Sequence, residues 1–329
     1  MYLAYRSLEA ADIEPCLSLV RDEYAKNPDV YPHAARLWRQ LREADTLNGM
    51  VLEDLTRAPG ERLAAFGMSV FVTPEFMAEA RRGETPGPAA LLAQWLRAGT
   101  LPVLGPDAVR RANSGPGLHL LVLHYAERVD PPSPERLQSV RDKQVESFFY
   151  VHSGFRYAEI LVEHRGERLC QFALEGGFRV RSEYGAYYRS HARPQGECPT
   201  LLGITREETL AHPGLHIAQL FVYTPPRFYF KPREQALLRH ALLDKTDEEM
   251  AVALDVTVAA IKKRWAGIYD RVADIAPALF PDLPEAGPAR RGQEKRGQEK
   301  RGQEKRRHLM RCLRLHPEEL RPVNPPPPP

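Results

Sequence analysis

The sequence predicts an α/β domain, followed by a small all-α domain and a basic tail. Short apolar runs of strand length alternate with amphipathic runs over residues 1–225, which is typical of layered α/β structures. Helix-capping signals fill residues 228–275, and a low-complexity segment occupies residues 283–329. The 329 residues, 43% of them hydrophobic, are enough for two domains with ordinary cores.

Charge and cysteine usage limit the class of protein. The net charge is +3, but residues 289–321 contain 12 Lys and Arg against 5 Asp and Glu, a bias that suggests a polyanion partner. The four cysteines lack CxxC spacing and the histidines lack metal-ligand spacing, so we predict free thiols and no metal. The start of the chain lacks a signal-peptide pattern, and no apolar run is long enough for a membrane span. We therefore predict a cytoplasmic chain without membrane contact.

The elements of the first domain follow from periodicity and from start and stop signals. Proline and serine precede the longest amphipathic run, and glycine ends it at Gly154. Helices are predicted at residues 9–25, 132–155 and 167–178, and strands at residues 61–73, 117–129, 156–166 and 216–224.

The second domain is predicted to contain three short helices. Pro232 is suited to the first position of a helix, Thr246 begins a capping box with Glu249, and Thr257 can cap the third helix. Within the third helix the apolar spacing directs Ile261 inward. Two helices joined by a tight turn are the geometry of a helix-turn-helix.

Because Ile261 points inward, the basic residues of the third helix lie at its surface. Lys262, Lys263 and Arg264 lie on or beside the exposed side of the third helix, and small residues keep its first turn narrow. Such a helix, at residues 258–269, fits a major groove about 12 Å wide. The alternative, a solvated face without a partner, explains many runs of this kind. The capping box, turn and apolar phase favour DNA binding here.

The segment at about residues 230–272 also resembles the LuxR/GerE-type DNA-binding domain. The likeness runs without a gap through "PRE" at 232–234, "EMA" at 249–251, "VT" at 256–257 and "IY" at 268–269, with Asp244 where the family has glycine. It implies a dimer surface through Ile268 and Tyr269 to Val272. Together with the basic surface, it gives these candidate DNA-binding residues: Thr246, Thr257, Ala260, Lys262, Lys263, Arg264 and Ala266.

Residues 2–182 more weakly resemble the GNAT acyltransferase fold. The likeness includes an opening strand and helix from Leu3, a hairpin at about residues 50–76, and the phrase "ALEGGF" at 173–178. It implies an acyl-CoA site with a glycine-rich turn after the central strand. This chain instead has Pro131 and Pro132, which lack N–H donors, so we expect a GNAT-like domain without catalysis.

Function follows from these parts as a prediction. We predict a bacterial-type, sequence-specific DNA-binding transcriptional regulator that acts as a homodimer on double-stranded DNA and is not an enzyme. Residues 1–225 would sense a ligand or dimerise; a small-molecule effector and RNA polymerase are further candidate partners. No catalytic residue and no cofactor are predicted. Two alternatives stay open: an acyl-CoA-dependent N-acyltransferase with an appended helical domain, and a protein-interaction module.

The tail begins with "RGQEK" written three times at residues 291–305 and ends in five prolines. The repeat has no apolar residue, so it is expected to be solvated and largely disordered. Helical apolar spacing returns only afterwards, which predicts one short helix at about residues 304–315.

Overall fold

A computed structural model of the protein describes residues 2–20, 31–128, 133–191, 198–280 and 291–325. The chain forms two compact units, Met1–Tyr223 and Thr224–Pro329. Pro131 and Pro132, used above to argue against a phosphate-binding turn, lie outside the described residues. None of the described helices has the length and apolar character needed to cross a membrane.

The first unit is a mixed α/β structure whose described residues contain a seven-stranded sheet. In the order β1-β2-β3-β4-β5-β7-β6, every pair of neighbours is antiparallel except β4 and β5, which are parallel. The strands are β1 (Leu3–Ser7), β2 (Leu47–Asp54), β3 (Leu63–Val72), β4 (Leu118–Glu127), β5 (Tyr157–Arg165), β6 (Arg179–Ser182) and β7 (Pro199–Thr205).

Helices cover both faces of this sheet. They are α1 (Ile13–Leu19), α2 (Tyr31–Glu43), α3 (Pro74–Arg82), α4 (Pro88–Arg97), α5 (Pro106–Ser114), α6 (Pro134–His152), α7 (Glu167–Gly176) and α8 (Arg206–Ala211). Since alternate strand residues face opposite sides, Phe66 packs with α1–α4 on one face. Ala65 packs with Val140 of α6 on the other face, and Val162 packs there with Ala173 of α7.

The helices that position the site begin and end where local chemistry dictates. Ser133 caps α6, its Oγ accepting a hydrogen bond from the Arg136 N–H at 3.4 Å, and Pro134 takes the first helical position. Helix α7 ends at Gly177, whose φ of 110° favours glycine. One sequence prediction is wrong: residues 216–224 do not form a strand, because His216–Phe221 is a 3₁₀ helix.

The second unit contains the three predicted helices, α9 (Pro232–Leu242), α10 (Asp247–Ala253) and α11 (Val258–Ile275). Thr246 Oγ1 accepts from the Glu249 N–H at 3.2 Å, and Thr257 Oγ1 accepts from the Ala260 N–H at 3.2 Å. Ile261 and Trp265 are buried, as their spacing predicts.

The tail differs from its prediction, because residues 291–315 form one helix, α12 (Arg291–Leu315), instead of a disordered repeat with a short helix. Glu, Lys, Gln and Arg all favour helix, and the apolar residues beyond the repeat anchor it. Leu309 and Leu313 are buried with the α9–α11 core. The Arg306 guanidinium lies 4.7 Å from the Trp265 ring centroid and 3.0 Å from the Asp247 carboxylate.

The surface predicted for dimerisation is covered by the chain itself. Ile268 and Val272 are fully buried in the core of the second unit. The Tyr269 hydroxyl donates to the Gly302 carbonyl at 3.3 Å, and its ring lies 5.8 Å from that of Phe280. These contacts leave little of that surface for a partner.

Candidate active site

The parallel strands β4 and β5 separate partway along their length. Their pairing runs from Leu118–Tyr157 to Val122–Val162 and continues no further among the described residues. Beyond that point β4 stays paired with β3, and β5 stays paired with β7. The two strands therefore open a gap in the sheet, and its edges carry backbone donors and acceptors not used by a β4–β5 ladder.

A bulge in β4 lies at the start of this gap. Ser69 pairs with Val122 and Met68 pairs with His124, so Leu123 is an extra residue on β4. Bulges bend a strand and redirect its side chains. This bend helps β4 to leave β5.

A cavity of about 520 Å³ lies at the gap, bounded by β2–β5, α6 and α7. Its volume is in the range typical of small-molecule sites. Most of its wall is apolar, with Val122 and Val162 at the point of divergence and Phe148, Phe149 and Phe172 on the helices.

Two histidines follow the last paired residues, one on each strand. His124 of β4 and His164 of β5 both line the cavity. Burial lowers the pKa of His124 to about 3, with smaller effects of His164 and Arg165, and burial lowers the pKa of His164 to about 4. Both imidazoles are therefore neutral near pH 7, and each has one ring nitrogen that can accept a hydrogen bond.

A serine and a third histidine form a hydrogen-bonded pair in the same cavity. Ser69 Oγ of β3 lies 2.7 Å from Nε2 of His152, and Nδ1 of His152 lies 2.8 Å from the Phe148 carbonyl of α6. A carbonyl only accepts, which assigns the ring proton to Nδ1 and makes Nε2 the acceptor of the Ser69 hydroxyl.

Gln144 of α6 adds a polar group to this wall. Its side chain is buried, and among the described residues its Oε1 has no hydrogen-bond partner. Its Nε2 lies over Gly67 of β3, where a Cβ atom would come within 2.9 Å. The glycine thus permits the close approach of the amide, which leaves an acceptor oxygen for a ligand.

Charged side chains gather at the end of β4. The Glu127 carboxylate accepts from the Tyr125 hydroxyl at 2.6 Å, from Arg141 of α6 at 2.8 Å and from Arg168 of α7 at 2.7 Å. Burial, followed by the Glu127 charge, raises the pKa of Tyr125. Two arginines against one carboxylate leave this cluster with a net positive charge, which suits a phosphate.

The sequence prediction gave these residues no role. It considered the histidines only as metal ligands, whereas His124, His152 and His164 line the cavity. In the described part of the chain, no group of His, Cys, Asp and Glu could hold a metal ion.

The seven predicted DNA-binding residues lie in the second unit. Thr246, Thr257, Lys262, Lys263 and Ala266 are exposed, and Ala260 and Arg264 are half-buried. Both threonines cap helices, which accounts for their presence. A role of these residues in contacting DNA stays a prediction.

Comparisons with known proteins give similar solved structures only. No protein-family model and no curated protein matches the chain, so the LuxR/GerE resemblance has no support. FeeM, an N-acyl amino acid synthase from uncultured soil microbes, is 13% identical with a TM-score of 0.34, over 65% of this chain and 97% of that chain. The spermidine/spermine N-acetyltransferase of Vibrio cholerae is 10% identical with a TM-score of 0.35, over 64% and 95%. An acetyltransferase assigned to the GNAT family, from Desulfovibrio desulfuricans, is 12% identical with a TM-score of 0.35, over 62% and 99%.

These findings correct two predictions. They are the DNA-binding transcriptional regulator and the expectation that the chain is not an enzyme: the similar structures carry the names of an N-acyl amino acid synthase and of acetyltransferases, and at 10–13% identity this likeness concerns the fold alone. The weaker resemblance, to the GNAT fold, is the one that the comparisons support. The prediction rested on one basic helix of the second unit. The larger first unit, in contrast, contains strands that diverge around a cavity.

Proposed function

We propose that the chain is a thioester-dependent N-acyltransferase that transfers an acyl group from acyl-CoA to an amine. The observation that carries the proposal is the divergence of β4 and β5 around an apolar cavity. The pantetheine arm of CoA is an extended chain with amide groups. Such a chain can pair with the open strand edges while its acyl end enters the cavity.

The charged cluster around Glu127 supports this orientation of CoA, with its acyl end in the cavity. Arg141 lines the cavity and Arg168 lies beside it on α7. Guanidinium groups bind phosphate oxygens in a bidentate manner. We place the CoA diphosphate near these two arginines, where it would compete with the Glu127 carboxylate for their guanidinium groups. This placement does not use a glycine-rich turn.

The chemistry needs a neutral amine held against the thioester. The amine nitrogen attacks the thioester carbonyl carbon, the C–S bond breaks, an amide forms, and the proton that the amine loses ends on the leaving thiolate. We assign the orientation of the amine to the neutral imidazoles of His124 and His164, which lie on the two edges of the gap and can accept a hydrogen bond from its N–H. A misplacement of about 1 Å in such a group can cost about 10²-fold in rate.

Amine-dependent release of free thiol from acyl-CoA tests this function. The full chain is incubated with acyl-CoA and with an α-amino acid, a polyamine or a peptide amine, and free thiol is measured. We expect turnover, and a loss of about 10²-fold in His124→Ala or His164→Ala through misplacement of the amine. His212→Ala, at an exposed histidine of the same unit, is the control. Absence of both binding and turnover with every acyl-CoA would refute the proposal.

For the second unit we propose a helix-turn-helix arrangement of α9–α11 as a module appended to the acyltransferase unit. Its support is the tight turn between α10 and α11, the Thr257 cap and the buried Ile261.

A further inference from the structure

The cavity extends well past the gap in which the thioester would lie. Besides β4 and β5, its wall includes Gly67 and Ser69 of β3 and Met50 of β2. Strand β2 is two strands away from β4, which is about 10 Å at the usual spacing of strands. An acetyl group at the gap would leave this extension unfilled.

The extension is shaped for a hydrocarbon chain. Helix α6 lies over it, with Val145, Phe148 and Phe149 partly uncovered toward the cavity. Apolar surface left beside a cavity is unfavourable, and an aliphatic chain would cover it. At Gly67 of β3, the missing side chain makes room for the Gln144 amide, which forms part of the wall there.

Two acceptor atoms interrupt this apolar wall close to the gap. The Oε1 of Gln144 has no partner among the described residues, and Ser69 directs its proton to His152. Both oxygens therefore have lone pairs that can accept a hydrogen bond from a ligand. They lie at β3, one strand spacing of about 5 Å from β4, which corresponds to the first carbons after the thioester carbonyl.

From these features we infer that the preferred acyl group is a medium-length aliphatic chain with a hydroxyl near its thioester end. The chain lies under α6 across β3 toward Met50, and its hydroxyl donates to Gln144 Oε1. An acyl chain without that hydroxyl leaves Gln144 Oε1 without a donor. This inference rests on the proposed function, whose failure is a separate outcome of the experiment below.

Equilibrium binding of three thioesters to the full chain tests the inference: acetyl-CoA, octanoyl-CoA and 3-hydroxyoctanoyl-CoA. We expect octanoyl-CoA to bind at least about tenfold more tightly than acetyl-CoA, since each buried methylene contributes. We expect 3-hydroxyoctanoyl-CoA to bind more tightly still, and Gln144→Leu to abolish that last preference. Acetyl-CoA binding as tightly as octanoyl-CoA would overturn the inference while leaving the acyltransferase proposal standing. No binding of any thioester would refute the proposed function instead.

Variants at the far end of the cavity provide a second test. Met50→Trp fills the space above β2 and should weaken octanoyl-CoA binding at least about tenfold more than acetyl-CoA binding. Met50→Ala, which enlarges the space, should move the preference toward longer chains. Leu210→Trp, at an exposed position of the same unit, is the control for the added ring. Equal effects of Met50→Trp on both thioesters, in a folded variant, would contradict the placement of the chain.

Discussion

The Ser69 hydroxyl lies 2.7 Å from Nε2 of His152, so that strand β3 and helix α6 are joined by a hydrogen bond inside the cavity. Both residues are buried. A second hydrogen bond fixes the imidazole, since its Nδ1 donates to the Phe148 carbonyl at 2.8 Å. One wall of the cavity is thus held in place by polar contacts, while most of the remaining wall is apolar.

Replacing Ser69 should reveal the contribution of this pair. We expect Ser69→Ala to lower the free energy of unfolding by about 1–3 kcal/mol, because a hydrogen bond between two buried groups is lost. Urea unfolding followed by circular dichroism measures the change. Ser139→Ala is the matched control on α6, since that serine is exposed, and it should change stability by less than about 0.5 kcal/mol. Equal effects of the two substitutions would argue against a structural role for the pair.

Substitutions at Glu127 and at Arg168 should differ greatly in their effect on the free energy of unfolding. The side chains of Glu127 and Arg141 are 4% and 11% exposed, whereas that of Arg168 is 51% exposed. We expect Glu127→Ala to cost about 3–5 kcal/mol of unfolding free energy, because it leaves the Arg141 charge buried without its carboxylate. Arg168→Ala should cost less than about 1 kcal/mol, as solvent screens an exposed pair. A similar loss in both variants would contradict this difference in burial.

Acidification should destabilise the first unit through its cavity histidines. The pKa values of His124 and His164 are lowered to about 3 and about 4, against about 6.5 in an unfolded chain. Between pH 6.5 and 4 the unfolded chain binds more protons at these positions, so the free energy of unfolding falls as the pH falls. Unfolding free energies at pH 7.5, 6 and 5 measure the slope. The variant with both His124→Gln and His164→Gln should show a shallower slope than the unaltered chain, and an unchanged slope would contradict the assignment.

Local signals in the sequence were enough to place much of the secondary structure. The Ser133 cap, Pro134 and the Gly-Gly pair at the end of α7 predict α6 and α7 within a few residues. The caps at Thr246 and Thr257 predict α10 and α11. These signals act over one helical turn, so they can be read without knowing what the helix packs against.

The site could not be read in the same way, because it depends on contacts between distant positions. Ser69 and His152 are 83 residues apart, and only the packing of α6 on the sheet brings them together. A partial signal existed at His124 and His164, which are polar residues in the second half of otherwise apolar strands. The divergence that puts these two at one cavity depends on the pairing of strands, which composition does not encode.

The composition of the tail did not indicate that this segment packs in the core of the second unit. A segment without apolar residues was expected to be solvated, yet the repeat belongs to a helix that ends in the core of the second unit. The signal lay at Leu309 and Leu313, four residues apart on one helical face. Their burial anchors the end of α12, and the Glu, Lys and Arg residues of the repeat favour extension of the helix from that end, against a cost of about 1 kcal/mol at each of its glycines.

Truncating those leucines should therefore destabilise the second unit. Leu309 is fully buried and Leu315 is 70% exposed on the same helix. We expect Leu309→Ala to lower the free energy of unfolding by about 2–5 kcal/mol through lost burial and a residual cavity. Leu315→Ala, the same substitution at an exposed site, should change it by less than about 0.5 kcal/mol. Thermal unfolding of a fragment that begins at Thr224 measures both, provided that the fragment is shown to fold. Equal stability of the two variants would mean that α12 does not pack on the α9–α11 core.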